Sequence, residues 1–471
     1  MAAVSEFLQA LAGKVPPRTI VTDPERIAPW LTDWRGRWTG RSAALLEPAS
    51  TDEVAAIVAL AESHGVGLVP QGGNSSMVGG ATPPEDGSAL LLSLRRMNRI
   101  RSLEPGAVIA EAGVILSDLH QAAADVGQRF PLTLGARGSA TVGGLAATNA
   151  GGTQVLRFGT MRAQVLGLEA VLAGGLVHDG LGGLKKDNRG VSLDQLLVGA
   201  EGTLGIITAL RLRLVPAIAA RAVAWIGLGS PQSAAAVLAK LQAESERVEG
   251  FEILPDTCLH SVLAHLPGSR APLAGNHPWH VLVELTADRA ETEAPADTLE
   301  RLLGEALDSG LIADAAIAAS ETQAEDFWRL RDSISEGERA RGPAAQHDIS
   351  VPPAVMAAFM EAAARTVEDA YPGTQAFGYG HLGDGNVHFH VRAPRGSPRN
   401  WADSHGGKAV SRLVHDLVTE AGGSISAEHG IGQMKREELA RLAGPARLHF
   451  LRAIKAAMDP HGIFNPGKLL L

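Results

Sequence analysis

Apolar residues fall at helical spacing along "STDEVAAIVALAESHG", residues 50–65, behind a Ser/Thr/Asp opening that suits a helix start. The pattern predicts a helix ending at Gly65, then a short strand, "VGLVP", closed by Pro70 where a glycine loop begins. Val4, Phe7, Leu8 and Leu11 mark an amphipathic helix at the start of the chain. "AVIAEAGV" reads as a strand and "SDLHQAAADVG" as a helix capped by Ser117. "VLGLEAVLAGGLVHDG" predicts a hairpin turned on Gly174 and Gly175, and "LGIITALRLRLVP" a long alternating strand.

After Pro216 the texture changes. "RAVAWIGLG", "HVLVELTAD" and "NVHFHVRAP" read as strands, separated by Ala- and Glu-rich helices at 232–247, 296–308 and 354–369. That rhythm predicts a sheet covered by helices, in a second domain of about 200 residues, an ordinary domain size. From about residue 430 two helical patterns lead into the turn-rich tail "MDPHGIFNPGKLLL", and the loop 394–402 reads as a flexible insertion.

Composition narrows the setting. At 471 residues with 45% apolar and 20% charged residues, the chain has the makeup of a globular protein of two domains. A net charge of -9 argues against nucleic acid, whose phosphates need a cationic face. One cysteine, Cys258, leaves no disulfide within the chain and points to a reducing compartment. The first residues lack a basic start, and no apolar run reaches 18 residues, so the expectation is a cytoplasmic protein without a membrane span.

Three loops are dense in glycine: "PQGGNSSMVGG" at 70–80, "LGARGSATVGGLAATNAGG" at 134–152 and "GAEGTLGII" at 199–207. Glycine lets backbone N–H groups approach an anion closely, so such loops are candidate phosphate cradles, although any one of them would serve equally as a tight turn. No GxxxxGK[ST] motif is present, and no strand-GxGxxG-helix unit with its acidic partner. A bound nucleotide would have to be held in some other way.

The stretch "GYGHLGDGNVHFHV" brings three histidines beside a Gly-Asp-Gly turn. Alternation places His388 and His390 on one strand face and Phe389 and Val391 on the other, and the turn can fold His381 back toward His388. A single strand histidine is ordinarily structural. Two that bracket a turn, with Glu428 and His429 of "AEHG" to add, suit a divalent ion with an open position. H-E-x-x-H is absent. In "DFWRLRDSISEGE", Phe327, Leu330 and Ile334 keep core spacing, while Arg331 and Ser335 share another face that alone would read as solvated.

Taken together, the three glycine loops with "LRFGTMRAQVLGLEAVLAGG" and "LKKDNRGVSLDQLLVGAEGTLGIIT" resemble the FAD domain of the vanillyl-alcohol oxidase / p-cresol methylhydroxylase superfamily. "GHLGDGNVH" and "AEHGIG" are similar to motifs of its FAD-linked D-2-hydroxyacid dehydrogenases, the D-2-hydroxyglutarate and D-lactate dehydrogenase family. The resemblance implies an α+β fold: a two-part FAD-binding domain of the p-cresol methylhydroxylase type over 1–216, and an α/β substrate- and metal-binding domain with a helix-covered, mainly antiparallel sheet over 217–425. A helical segment, 426–471, would return to the flavin. FAD would be held by Gln71, Gly72, Gly73, Asn74 and Ser75, by Leu134, Gly135, Gly138, Thr141, Gly144, Asn149 and Gly151, and by Glu201, Gly205, Ile206, Ile207 and Asn465. Ser75 and Ser76 stand where members with covalent flavin often carry histidine, so the FAD is expected to be non-covalent.

By the same resemblance His381, His388 and Glu428 bind a divalent metal, expected to be Zn2+, and His429 is the catalytic base. Arg331, Ser335, Gln346, Asn386 and His390 would meet the substrate. Gln346 departs from a lysine in relatives acting on hydroxyglutarate, and His390 from an asparagine; Val191 and Ser192 depart from a Gly-Tyr-Asp pattern. The implied reaction is oxidation of a D-2-hydroxy acid to the 2-oxo acid by hydride transfer to flavin N5, with D-2-hydroxyglutarate first and D-malate or D-lactate after it. Electrons would pass to an electron-transfer flavoprotein, a quinone or a cytochrome, and the family implies a homodimer. Alternatives are a glycolate- or D-lactate-oxidising flavoprotein subunit of a larger respiratory complex, a hydrolase using the metal site alone, and a non-catalytic flavin-binding scaffold.

Overall fold

The computed structural model describes residues 2–289 and 293–471. The chain divides into two compact units: Met1–Gly152, Gly159–Pro216 and Glu428–Leu471 form one, and Thr153–Phe158 with Ala217–Ala427 the other. Both mix helices with sheets, and the architecture is α+β.

The first unit holds two sheets. In the four-stranded one, Gly67–Gln71 and Ala89–Ser93 pair in parallel. Leu90, Leu91 and Leu92 are fully buried, as a run of apolar residues must be in a sheet covered on both faces. Helix Thr51–His64 packs Val54, Ile57, Val58 and Ala61 into that core; the Ser50 hydroxyl accepts from Glu53 N–H at its start, and Gly65 ends it in the left-handed region. Phe7 and Leu11 of helix Ala2–Ala12 join the same core. The five-stranded sheet is antiparallel and runs Ile100–Glu104, Ala107–Glu111, Ile206–Arg213, Val165–Val171, Val177–Asp179. Its last two strands are the hairpin expected around Gly174 and Gly175.

The Ser117 cap is corrected. The helix spans Leu116–Ala124 with Ile115 at its N-cap, because fully buried Leu116 and Leu119 fix its first turn against the core. Ser117 lies inside it, its hydroxyl 3.4 Å from Asp118.

The second unit is built on a seven-stranded antiparallel sheet. From edge to edge it runs Asp314–Ile317, Ala220–Leu228, Trp279–Ala287, Val248–Pro255, Gln375–His381, Asn386–Arg392, Ala344–Ser350. Helices Pro231–Glu244, Pro295–Asp308 and Pro353–Ala370 match three expected ones, each with proline in its first turn, where the missing N–H costs nothing. Phe359 of the third packs on Phe389, on the sheet face away from the histidines. The opposite face meets helix Glu321–Asp332, with Phe327 and Leu330 buried beside Trp225, Phe377 and Tyr379, and Ile334 at the start of the next helix joins them.

The six residues Thr153–Phe158 also belong to this unit. Arg157 donates to Glu249 at 3.1 Å, Thr286 at 2.7 Å and Asp288 at 3.2 Å. Leu156 fits where Gly383 has no side chain: a Cβ there would lie 2.3 Å from Leu156 Cδ1.

Candidate functional site

In an antiparallel sheet, directly paired residues project from the same face. The register therefore gathers His381 with Asn386 and Glu252, Tyr379 with His388 and Asp348, and Phe377 with His390 and Gln346. The turn between the two histidine strands carries Gly385 at φ +83°, where a side chain would be strained, and Asp384 accepts from Asn386 N–H at 2.9 Å. The rings of His381 and His388 end 5.5 Å apart, edge to face.

His381 is oriented by a carboxylate. Its Nδ1 lies 2.6 Å from Glu252 Oε1, which fixes the N–H tautomer there and leaves Nε2 as a ligand atom. Arg331 donates from Nε and Nη2 to Glu252 Oε2 at 2.8 and 2.7 Å. Arg331 Nη2 is also 3.4 Å from both His381 ring nitrogens, equidistant and so not directed at either. Burial would raise the Glu252 carboxyl, but the charge of Arg331 and the contact with His381 hold it down at about 2.

Arg331 and Ser335 stand on consecutive helices, Glu321–Asp332 and Ile334–Arg341, yet reach the same sheet face. Ser335 Oγ is 3.3 Å from Tyr379 Oη. Asn386, 4% exposed, donates to Asp348 Oδ1 and to Ile349 O, both at 3.0 Å. Its own Oδ1 is buried with no hydrogen-bond partner among the described residues, an unmet acceptor beside His381. Two imidazoles backed by a carboxylate, next to an orphaned oxygen, suit a divalent cation carrying water or a hydroxyl ligand.

The first unit gathers the glycine loops. A Cβ on Gly72 would lie 2.2 Å from Thr141 Oγ1, and one on Gly73 1.8 Å from Ser139 O, so only glycine lets the first loop rest against the second. Thr141 caps helix Val142–Thr148 by accepting from Gly144 N–H, and Asn149 closes it in the left-handed region while its Oδ1 accepts from Arg162 N–H. Asn74, at φ +53°, donates to Thr32 O, and Ser75 follows it in the loop. Gly135 and Gly138 face open space, between half-buried Leu134 and buried Gly151.

The third loop carries Glu201, at φ +52° and 8% exposed. Its carboxylate accepts from Ile431 and Gly432 N–H, both at 2.7 Å, so this side chain anchors the loop that begins at Glu428 and His429. Burial raises its carboxyl pKa against the pull of those two N–H groups. Gly205 leads into strand Ile206–Arg213, where Ile206 and Ile207 pair with Val171 and Ala170. Asn465 donates to Gly80 O at 3.0 Å and Glu201 O at 2.7 Å; Gln71 donates to Trp30 O and Ala81 O. The remaining oxygens of Asn465 and Gln71 are buried acceptors with no partner among the described residues. Open glycine backbone beside unmet acceptors fits a flavin dinucleotide, which brings ring N–H and sugar hydroxyl donors.

The chain passes from the second unit to the first at Ala427–Glu428. Ala427 N–H points to Asp348 O at 3.4 Å, and Glu428 and His429 follow, both half-buried. The sequence did not single out Glu252, Asp348 or Tyr379. For Tyr379 and Asp348 the signal was a step of two from His381 and Gln346. Glu252 lies 129 residues from His381, and nothing local announces it.

Residues 218–469 match the C-terminal domain of FAD linked oxidases, and residues 42–180 an FAD binding domain. The chain is 35% identical over 470 residues to the mitochondrial D-2-hydroxyglutarate dehydrogenase of Arabidopsis thaliana, covering 99% of this chain and 81% of that one. It is 36% identical over 466 residues to D-2-hydroxyglutarate dehydrogenase of Xanthomonas citri pv. viticola, covering 98% and 96%. Among solved structures, p-cresol methylhydroxylase with substrate bound shares the fold at a TM-score of 0.75 and 15% identity, over 100% of this chain and 97% of that one.

Proposed function

Because the chain belongs to the FAD-linked D-2-hydroxyacid dehydrogenases, we propose that it oxidises a D-2-hydroxy acid to the 2-oxo acid with help from a divalent metal. The observation that carries the metal part is His381, oriented by Glu252 and facing His388, beside the unmet oxygen of Asn386. His381, His388 and Glu428 would hold the ion, zinc being the natural choice for two imidazoles and a carboxylate. Bound there, it supplies a Lewis acid for the substrate hydroxyl and carboxylate.

His429 takes the hydroxyl proton while C2 gives up its hydride. Arg331 keeps Glu252 ionised so that it holds the His381 tautomer, and with Ser335 it would meet the substrate carboxylate. Ser335 and Asn386 offer hydrogen bonds to the substrate, with Gln346 and His390 further along the same face. FAD is held without a covalent bond by the glycine loops with Gln71, Asn149, Glu201 and Asn465, and supplies the hydride acceptor. The electrons then leave to an electron-transfer flavoprotein, a quinone or a cytochrome.

The relatives' names supply D-2-hydroxyglutarate as the first compound to try, with D-malate and D-lactate beside it. The test is anaerobic reduction of the bound flavin by paired D- and L-2-hydroxy acids, before and after chelation. D-acids should bleach the flavin, chelation should stop it, and zinc should restore it. Failure of every D-acid to bleach the metal-loaded protein sinks the proposal.

A further inference from the structure

Lys468 carries two destabilising features. It is 5% exposed and makes no hydrogen bond or ion pair among the described residues, although buried charges are ordinarily paired. The backbone around it is strained as well: Asn465 at φ +42°, Gly467 at +75° and Leu469 at +64° bracket it, and a leucine in the left-handed region is uncommon. The segment is nonetheless fixed. Leu68 N–H donates to Ile463 O at 2.7 Å and Asn465 N–H to Leu68 O at 2.8 Å, which lays it beside strand Gly67–Gln71, and Leu469 N–H donates to Gly432 O at 2.9 Å.

The surroundings of Lys468 do not answer its charge. Arg436 repels it, and a Cβ on Gly467 would lie 3.7 Å from Arg436 Nη1. Arg436 Nε is itself buried without a partner among the described residues. Glu201 attracts Lys468 from beyond ion-pair distance, and its two oxygens already accept from Ile431 and Gly432 N–H. Two such cations call for an anion.

The same loop calls for a donor too. Asn465 donates to Gly80 O and Glu201 O, and Gln71 to the adjacent Ala81 O, while the oxygens of both amides are buried acceptors without a partner among the described residues. A diphosphate brings negative oxygens and no donor. The pyrimidine edge of a flavin brings both: N3–H between two carbonyls, and the N1–C2=O side. A hydride carries two electrons and one proton to N5, so the ring gains one negative charge on that side while N1 stays unprotonated.

We propose that Lys468, backed by Arg436, faces the N1–C2=O side of the flavin and sets its readiness to accept a hydride, with Asn465 Oδ1 taking the N3–H. The burial of an unpartnered ammonium in the FAD-free chain is offset once the ring presents its negative side. The proposal concerns the cofactor and is independent of which acid is oxidised.

Sulfite tests it on the FAD-loaded protein with no substrate present. Its sulfur lone pair forms a bond to N5 and leaves the same negative charge at N1–C2=O, and the adduct bleaches the flavin. Lys468→Met should weaken sulfite binding by roughly tenfold or more, as loss of a group aimed at developing charge does. The two-electron midpoint potential should fall by about 30 mV for each factor of ten. Lys468→Arg, which keeps a cation, should lie between the two, nearer the unchanged protein. Riboflavin, which has the ring without the diphosphate, gives a second reading: Lys468→Met should weaken its binding along with that of FAD. Unchanged sulfite affinity and potential overturn the proposal. So does a loss of binding confined to FAD, which would put the diphosphate at Lys468. Failure of every D-2-hydroxy acid to bleach the flavin leaves this test intact, so the oxidation reading and this one fall separately.

Discussion

Glu252 shows how much one buried carboxylate can organise. One oxygen fixes the tautomer of His381 and the other anchors Arg331, so three side chains from two strands and a helix share a single arrangement. Exchange for glutamine keeps the shape and removes the charge. Arg331 is then buried without its counter-ion, and loss of one partner of such a pair costs about 3 kcal/mol. Glu252→Gln is expected to lower the unfolding free energy of the metal-free protein, read from urea melts, by that amount. Zinc affinity, measured by chelator competition, should fall by about 10- to 100-fold, the usual effect of losing the partner that orients a ligand. Undiminished zinc affinity would remove Glu252 from the metal site.

At the scale of elements, the legible parts were those whose pattern serves the core alone. Helices Pro231–Glu244, Pro295–Asp308 and Pro353–Ala370 announce themselves by apolar spacing and an N-terminal proline, and strands Ala220–Leu228 and Trp279–Ala287 by nearly continuous apolar runs. Strands Val248–Pro255, Gln375–His381 and Ala344–Ser350 did not. On one face they carry Glu252, His381 and Asp348, polar where the alternation of an ordinary strand would be apolar. The residues that build the site are thus the ones that hide its strands. The "GAEGTLG" loop is a related case, since its glycines are readable but the partners of Glu201 are 230 residues away. Glu201→Gln leaves one carbonyl oxygen for two N–H groups, and an unsatisfied buried donor costs about 1–3 kcal/mol. Amide hydrogen exchange at Ile431 and Gly432 should accelerate roughly tenfold or more, with strand Ile206–Arg213 unchanged. Equal acceleration in both would mean general loosening of the unit and would remove the anchoring role.

Over the whole molecule the net charge of -9 masks a local excess of cations in the first unit. Lys435, Arg436 and Lys468 come from the returning segment, and Lys468 is only 5% exposed. Burial and the repulsion of Arg436 lower the Lys468 pKa to about 8, against a smaller opposing pull from Glu201. The sign of the effect on stability follows from which state holds more protons. Below pH 8 the lysine is charged folded and unfolded, and the full cost of burying it is present. Between pH 8 and the unfolded value of 10.5 the folded protein sheds the proton first, so this group makes stability rise with pH. Lys468→Met, a chain of similar length without the charge, should therefore stabilise the FAD-free protein at pH 7 by about 3 kcal/mol. The gain should shrink as pH rises through 8 and vanish near 10.5, which urea melts of both proteins across pH 7–10.5 would resolve. A gain independent of pH would mean that packing, not the buried charge, sets the difference; a loss at pH 7 would mean that the attraction to Glu201 outweighs the burial cost.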